Sequence, residues 1–413
     1  MVKIPEIVYN SNLKKNLLAK PEFANKITQF KVKEIFKDEF FSNSPPSIFI
    51  GSALPYPKVN VGVLAPPEKR EDISLYDNHK YWAENNLNIY QIMEFRSSLI
   101  NSRFRTDVKA VRTNDNRFLS LAREIGMSIK PVDVEVKLKK KIKLKINIDD
   151  TTLPMGPRGS MEKLRVASNP KVSSHVDKVY FDTDMKAIDG INYLSKHGYD
   201  ENVLSKLLSI GIMGQEKRRV LVPTRWSIVA THTMLANEKI ARIIKYSILN
   251  EFKFFYGHYL GNHYFVLFLP EIYNYELFET YLPGSFWNPT SNVNISTDFE
   301  PFKGRTKYAE QTAGGFYAAR LGITEYLDSI KKQASVLAFR VETPAYWAGL
   351  GVWVVLASLR KTLLNKALEF DDKNKAIEFF KKEIFEKFRF NIEEILKKSR
   401  LLEAIRQRKL FDF

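Results

Sequence analysis

The chain has 413 residues, enough for two domains, with 44% hydrophobic residues, 6 histidines, no cysteine and a formal net charge of +17. Lacking cysteine, it has no disulfides, no cysteine zinc site and no cysteine nucleophile, and no run approaches the ~18 apolar residues that span a bilayer. The start, MVKIPEIVYNSNLKKN, has no apolar stretch before a cleavage site, so a soluble cytoplasmic protein is expected; the basic excess favours a polyanionic partner, nucleic acid first.

Residues 1–45 read as a polar, helix-prone leader closed by NSPPS. The run SIFIGSALPYPKVNVGVLAPP follows, strand-like but cut by prolines that belong at edges and turns. Helical spacing returns at Tyr90–Ser102 and near Arg117–Gly126. In 132–148, VDVEVKLKKKIKLKINI, aliphatic and polar residues alternate as in a long strand or hairpin with a lysine face from Lys137 to Lys145. LPMGPRGS reads as a turn, FDTDMKAIDGINYLSKHG as a short strand into a helix, and LANEKIARIIKYSIL as a helix with an apolar stripe. EFKFFYGHYLGNHYFVLFLP predicts two strands around a Gly261-Asn262 turn. YAEQTAGGFYAARLGITEYLDSI predicts a helix, QASVLAFRVE a buried strand and WAGLGVWVVLASLRKTL a buried helix. From Asp371 to about Ile405 the Lys/Glu spacing predicts one long amphipathic helix. The fold class is therefore mixed α/β (α+β), without a βαβ rhythm.

Chemistry-bearing residues gather in a few strings. Asp182 and Asp184 of FDTD share a face if the string is a strand, and such carboxylates can hold Mg or Mn. With Glu342 as a third ligand they would make a catalytic metal site for a phosphodiesterase; otherwise they cap the next helix. Arg225, Arg305 and Arg320 are candidate phosphate contacts, since a guanidinium matches phosphate geometry bidentately. Their alternative is structural pairing with Asp182, Asp184, Glu310 or Glu342. Tyr317 lies three residues from Arg320, as a stacking-plus-phosphate pair requires, and Trp226 and Tyr308 extend the candidate nucleotide site, although tryptophans are more often core.

The last seven residues are QRKLFDF. Gln407, Leu410 and Phe413 are spaced by three, so a 3₁₀ turn would project them from one side with Phe411 beside them. The string resembles the peptide by which archaeal and eukaryotic replication and repair proteins dock on the sliding clamp, PCNA. Gln407 matches its glutamine, Leu410 its aliphatic position and Phe413 its first aromatic, while the second aromatic is missing. A weak, avidity-assisted contact is expected.

Together GSALPYPKVNVG, LPMGPRGS, FDTDMKAIDG, VPTRWS, PGSFWNP, GGFYAAR and this tail resemble the archaeal Nre family of clamp-associated DNA repair proteins, in the branch without a cysteine zinc module. The resemblance implies a leader at 1–45, a large N-terminal α/β domain at 46–290 closely packed with a helix-rich C-terminal domain at 291–404, and a clamp-binding tail at 405–413. It also implies a role in repair after DNA damage, acting with PCNA. A monomer associated with the nucleoid and acting on damaged or branched DNA is expected, with the oligomeric state left open by the sequence. Two other readings stand beside it: a metal-dependent nuclease, phosphodiesterase or nucleotide-modifying transferase, and a non-catalytic clamp adaptor.

Overall fold

The computed structural model describes residues 7–9, 38–113, 115–142 and 153–411, with side chains outside 7–9 and 408–411. It divides into two compact units: 24–235, and 236–413 together with 1–23. The division falls inside one helix, Thr224–Ile243. The boundary drawn from sequence at 290/291 lies just before a strand hydrogen-bonded to Asn274–Tyr281 in the same sheet.

In the 24–235 unit six strands make one mixed sheet: β2 (Glu39–Ser44), β3 (Ser47–Gly51), β4 (Lys58–Ala65), β5 (Ile100–Asp107), β6 (Val132–Leu138) and β7 (Arg158–Val166). Their order is β2-β6-β7-β5-β4-β3, antiparallel except for the β5–β7 pair. The alternation read in VDVEVKL holds, because Val132, Val134, Val136 and Leu138 are buried while Asp133, Glu135 and Lys137 are not. Lys143 and Lys145 of the expected lysine face lie outside the described residues. Residues 39–44 of the supposed helical leader are instead a strand paired with β6. Ile48, Ile50, Val61 and Val63 bury one face of the sheet. Helix α3 (Arg117–Met127) packs there through Gly126, where an added Cβ would meet Ile210 at 2.8 Å.

The second unit holds a seven-stranded mixed sheet: β1 (Ile7–Tyr9), β8 (Phe252–Tyr259), β9 (Asn262–Leu269), β10 (Asn274–Tyr281), β11 (Val293–Glu300), β12 (Ser335–Glu342) and β13 (Leu368–Phe370), in the order β1-β11-β10-β12-β9-β8-β13. β10 and β12 are buried along their whole length, as the unbroken apolar run of β12 predicts for a strand covered on both faces. Helices α8 (Ala313–Ser329) and α9 (Trp353–Leu363) cover one face; α10 (Lys373–Phe388), α11 (Glu393–Leu396) and α12 (Arg400–Phe411) cover the other. The hairpin between β8 and β9 turns at Leu260-Gly261, one residue before the expected position, and both residues have positive φ.

The single helix expected over Asp371–Ile405 is three. Arg389 takes the left-handed conformation, with φ 58°, and ends α10. Phe390, Ile392 and Ile395 then turn into the core, and α12 starts where the Glu276 carboxylate accepts from the Arg400 and Leu401 amides.

Candidate functional site

On the opposite face of the first sheet, the pairings set Gly51 beside Asn60, Gly62 beside Arg103, and Asn101 beside Arg158. Side chains alternate along strands, so these residues share one side. Two of them are glycines, and beside Gly51 there is a small open cleft of about 80 Å³. The Ile50 amide donates to Thr224 Oγ1 at 2.9 Å, which ties the first turn of α7 (Thr224–Ile243) to the end of β3 and puts Arg225 in the cleft wall. Arg103, Arg158 and Arg225 thus reach one space from a strand, a strand start and a helix start.

The lining contains no carboxylate, and neither Arg103 nor Arg225 has an ion pair or side-chain hydrogen bond with the described residues. Three guanidiniums in a concave site attract a phosphate-bearing ligand and match its oxygens geometrically. A larger cleft beside the start of α3 has mixed walls, with Asp115 and Glu162 among Arg117, Lys163 and Arg165. With two carboxylates in its lining, it makes a poorer anion site.

The structure disperses most of the residues chosen from sequence. Asp182 and Asp184 are not on a strand: Asp182 caps the C-terminal end of α4 (Ser174–Phe181). Its carboxylate accepts from the Asp184 and Met185 amides at 3.2 and 2.9 Å and closes a turn before α5 (Ala187–Lys196). Arg219 braces that turn through the carbonyls of Tyr180 and Asp182. Asp184 is exposed. Glu342 belongs to the other compact unit, fully buried, and no three His, Cys, Asp or Glu among the described residues are grouped to hold a metal.

Arg225 enters the cleft and Trp226 stands beside it 56% exposed, against the expectation that tryptophans are core. Arg305, Tyr308, Tyr317 and Arg320 do come together, but in the second unit and around acidic partners. Arg305 pairs with Asp298 at 3.1 Å, and Arg320 with Glu300 at 2.6 Å and Asn237. The partners are thus Asp298 and Glu300 rather than the four acids weighed from sequence. Asp298 also accepts from the amides of Gln311 and Thr312 and fixes the entry to α8. Tyr317 stacks on Tyr308 at 5.0 Å and its hydroxyl accepts from the Ala309 amide, so this ring braces the loop.

Next to this brace lies a buried charge network. Arg340 donates to Glu279 at 2.7 Å, to Glu342 at 2.9 Å and to Asn262. Gly315 is obligatory here, since a Cβ would fall 2.1 Å from Glu279 Oε1. Burial pushes the Glu342 carboxyl up to about 7, with Arg340 opposing the rise. One guanidinium thus serves two carboxylates.

Of the tail, the backbone is α-helical through Phe411, where a 3₁₀ turn was expected from the spacing of three. Gln407 is exposed and donates to Glu403 at 3.1 Å, an intrahelical contact. The side chains of Leu410 and Phe411, and Phe413 altogether, lie outside the described residues.

Reading the sequence missed Arg103, Arg158 and Asn101. A signal was present: the strings GSALPYPKVNVG, LPMGPRGS and VPTRWS are the ones whose residues meet in the cleft. Family models agree with those strings. One described as archaeal Nre, N-terminal, matches residues 20–288, and one described as archaeal Nre, C-terminal, matches 300–413. DNA repair protein NreB of Archaeoglobus fulgidus is 33% identical over 375 residues, covering 91% of this chain and 92% of its own. DNA repair protein NreA of the same organism is 37% identical over 347 residues, covering 84% and 86%. NreA of Haloferax volcanii is 31% identical over 380 residues, covering 91% and 89%. No solved structure matches the chain.

Proposed function

The chain belongs to the archaeal Nre family, and from that premise we propose that it is a DNA repair factor that grips the DNA backbone in the arginine cleft. One observation carries the cleft's part: Arg103, Arg158 and Arg225 converge from three separate strings on a space with no carboxylate in its lining. Backbone phosphates would supply the negative charge that the lining of the cleft lacks, and such contacts position a protein on DNA without reading sequence. The printed names of all three relatives support the repair role.

Delivery is the tail's part. Gln407, Leu410, Phe411 and Phe413 dock on the sliding clamp PCNA, which brings the cleft to damaged or branched DNA. Support comes from the spacing in QRKLFDF and from the root of α12, where Leu401, Leu402 and Ile405 are buried and hold the helix in place. Glutamine, aliphatic and aromatic residues at that spacing can plug an apolar pocket on a ring-shaped partner that offers several copies of it.

Two variants of the full chain separate the parts. Charge reversal at Arg103→Glu with Arg225→Glu should weaken DNA binding by at least about a hundredfold in fluorescence anisotropy at low salt and leave clamp binding intact. Removal of Gln407–Phe413 should abolish clamp binding in calorimetry and leave DNA binding intact. Wild-type DNA affinity in the first variant overturns the cleft, and wild-type clamp affinity in the second overturns the tail.

A further inference from the structure

β5 and β7 run parallel but pair over only three residues: Asn101 with Arg158, Ser102 with Gly159 and Arg103 with Ser160. β5 then continues to Asp107, while β7 turns its remaining length to β6. The two strands thus diverge at the arginine cleft. Beyond that point lies the larger cleft, about 630 Å³, between residues 162–165 of β7 and the chain that leaves β5 for α3. Arg105 stands on β5 at the junction, sharing a face with Arg103 and lying opposite Asn60 of the arginine cleft. It is exposed and has no ion pair or side-chain hydrogen bond with the described residues. Lys163 is exposed and unpaired in the same sense, on the face opposite the buried Met161 and Leu164. The acids nearby are already engaged. Glu162 holds Lys137 at 2.8 Å, Glu135 holds Arg165 at 3.4 Å, and Asp107 accepts from the Lys109 amide at 2.8 Å. In the lining of the larger cleft this leaves Asp115 outnumbered by Lys163 and Arg117.

We infer that Arg103, Arg105 and Lys163 form one track along the split between β5 and β7, and that this track takes a run of consecutive phosphates of a nucleic-acid backbone. The track rests on the reading of the arginine cleft as a phosphate site and extends it beyond the cleft. Side chains on one face of a strand are two residues apart, so Arg103 and Arg105 present their charges at a step of ~6.6 Å. Lys163 lies five residues beyond Arg158 on β7, roughly 16 Å further along the strand. A free phosphate or a single nucleotide is too short to meet both ends. A nucleic-acid strand in a duplex advances ~3.4 Å per phosphate, so about five phosphates fall within that length. Cations repeated along an exposed strand face suit contacts that follow a backbone and are indifferent to its sequence.

The test is the salt dependence of binding by the full chain, read as fluorescence anisotropy of a labelled duplex and a labelled single strand, each longer than the track. A phosphate contact contributes about 0.9 to the slope of log affinity against log salt on a duplex and about 0.7 on a single strand. Arg105→Ala with Lys163→Ala should therefore lower the slope by about 1.8 on the duplex or about 1.4 on the single strand. Lys196→Ala with Lys217→Ala, at exposed lysines of the same unit outside both clefts, should leave it unchanged. An unchanged slope in the first pair, beside the expected loss in Arg103→Glu with Arg225→Glu, overturns the track and leaves the cleft standing. An equal loss in the lysine control also overturns the track, because the whole positive surface would then be at work. Binding of neither probe by the wild type overturns the cleft and the track together. Arg105→Gln with Lys163→Gln repeats the measurement should the alanine pair fail to fold.

Discussion

The arginines of the cleft and those of the second unit's buried brace are used in opposite ways. In the second unit Arg305, Arg320 and Arg340 each have a carboxylate within 3.1 Å and a place in a buried brace. In the first, Arg103 and Arg225 face an open cleft with no acidic group in its lining. Both sets come from strings that look alike in sequence, rich in Arg, Gly and aromatics. The difference lies in what the neighbouring strand contributes. β11 brings Asp298 and Glu300 to α8, and β10 brings Glu279 to Arg340, whereas β4 and β5 bring Asn60 and Asn101 but no carboxylate to the cleft. A paired guanidinium is structural, and an unpaired one facing a cleft is available to a ligand.

The largest expected effect breaks the braced side. Arg340→Met removes the partner of two carboxylates that are each no more than 3% exposed at the side chain. A buried charge without its partner costs about 3–5 kcal/mol. Chemical denaturation should show a loss in that range at pH 8, with an unchanged slope against denaturant. A loss below about 1 kcal/mol would mean that Glu279 and Glu342 reach water or another cation, and the network would not be the brace described.

The same contrast explains what could be read in advance. Periodicity exposed β6 and the buried β12, because burial on one face or two leaves its mark in consecutive residues. The break at Arg389 was hidden, since a left-handed arginine carries no local signal of the kind glycine gives. Arg225 was visible within TRWS. Arg103 and Arg158 were not, because their meeting depends on the parallel pairing of β5 with β7, segments far apart in the chain. Nor could residue type say that Arg305 and Arg320 would find Asp298 and Glu300, which come from TDFEP, a string never singled out.

A smaller effect sharpens the braced side through pH. The folded-state pKa of Glu342 is raised from 4.5 to about 7 by burial, so the folded form binds its proton more tightly than the unfolded form. That stabilisation is complete below about pH 4.5 and is lost as pH rises through 7. Glu276 and Glu300 are raised by burial as well and act with the same sign. Stability of the wild type relative to Glu342→Gln should therefore fall between pH 4.5 and 7, as thermal denaturation across that window can show. Parallel curves for the two proteins would place the proton elsewhere.

The smallest effect on stability belongs to the cleft, and it is the most telling. Arg225 is exposed, is bonded to nothing among the described residues, and sits on the first turn of α7, where a cation gains nothing from the helix dipole. Arg225→Ala should change unfolding free energy by no more than about 0.5 kcal/mol, as for a surface residue. Loss of one phosphate contact should lower the slope of log affinity against log salt by about 0.7 for a single strand. The two measurements must come apart: a fold untouched and a salt dependence reduced. If Arg225→Ala instead lowers stability by 2 kcal/mol or so with the salt slope unchanged, Arg225 is a brace like Arg320, and the distinction between cleft and brace disappears at that residue.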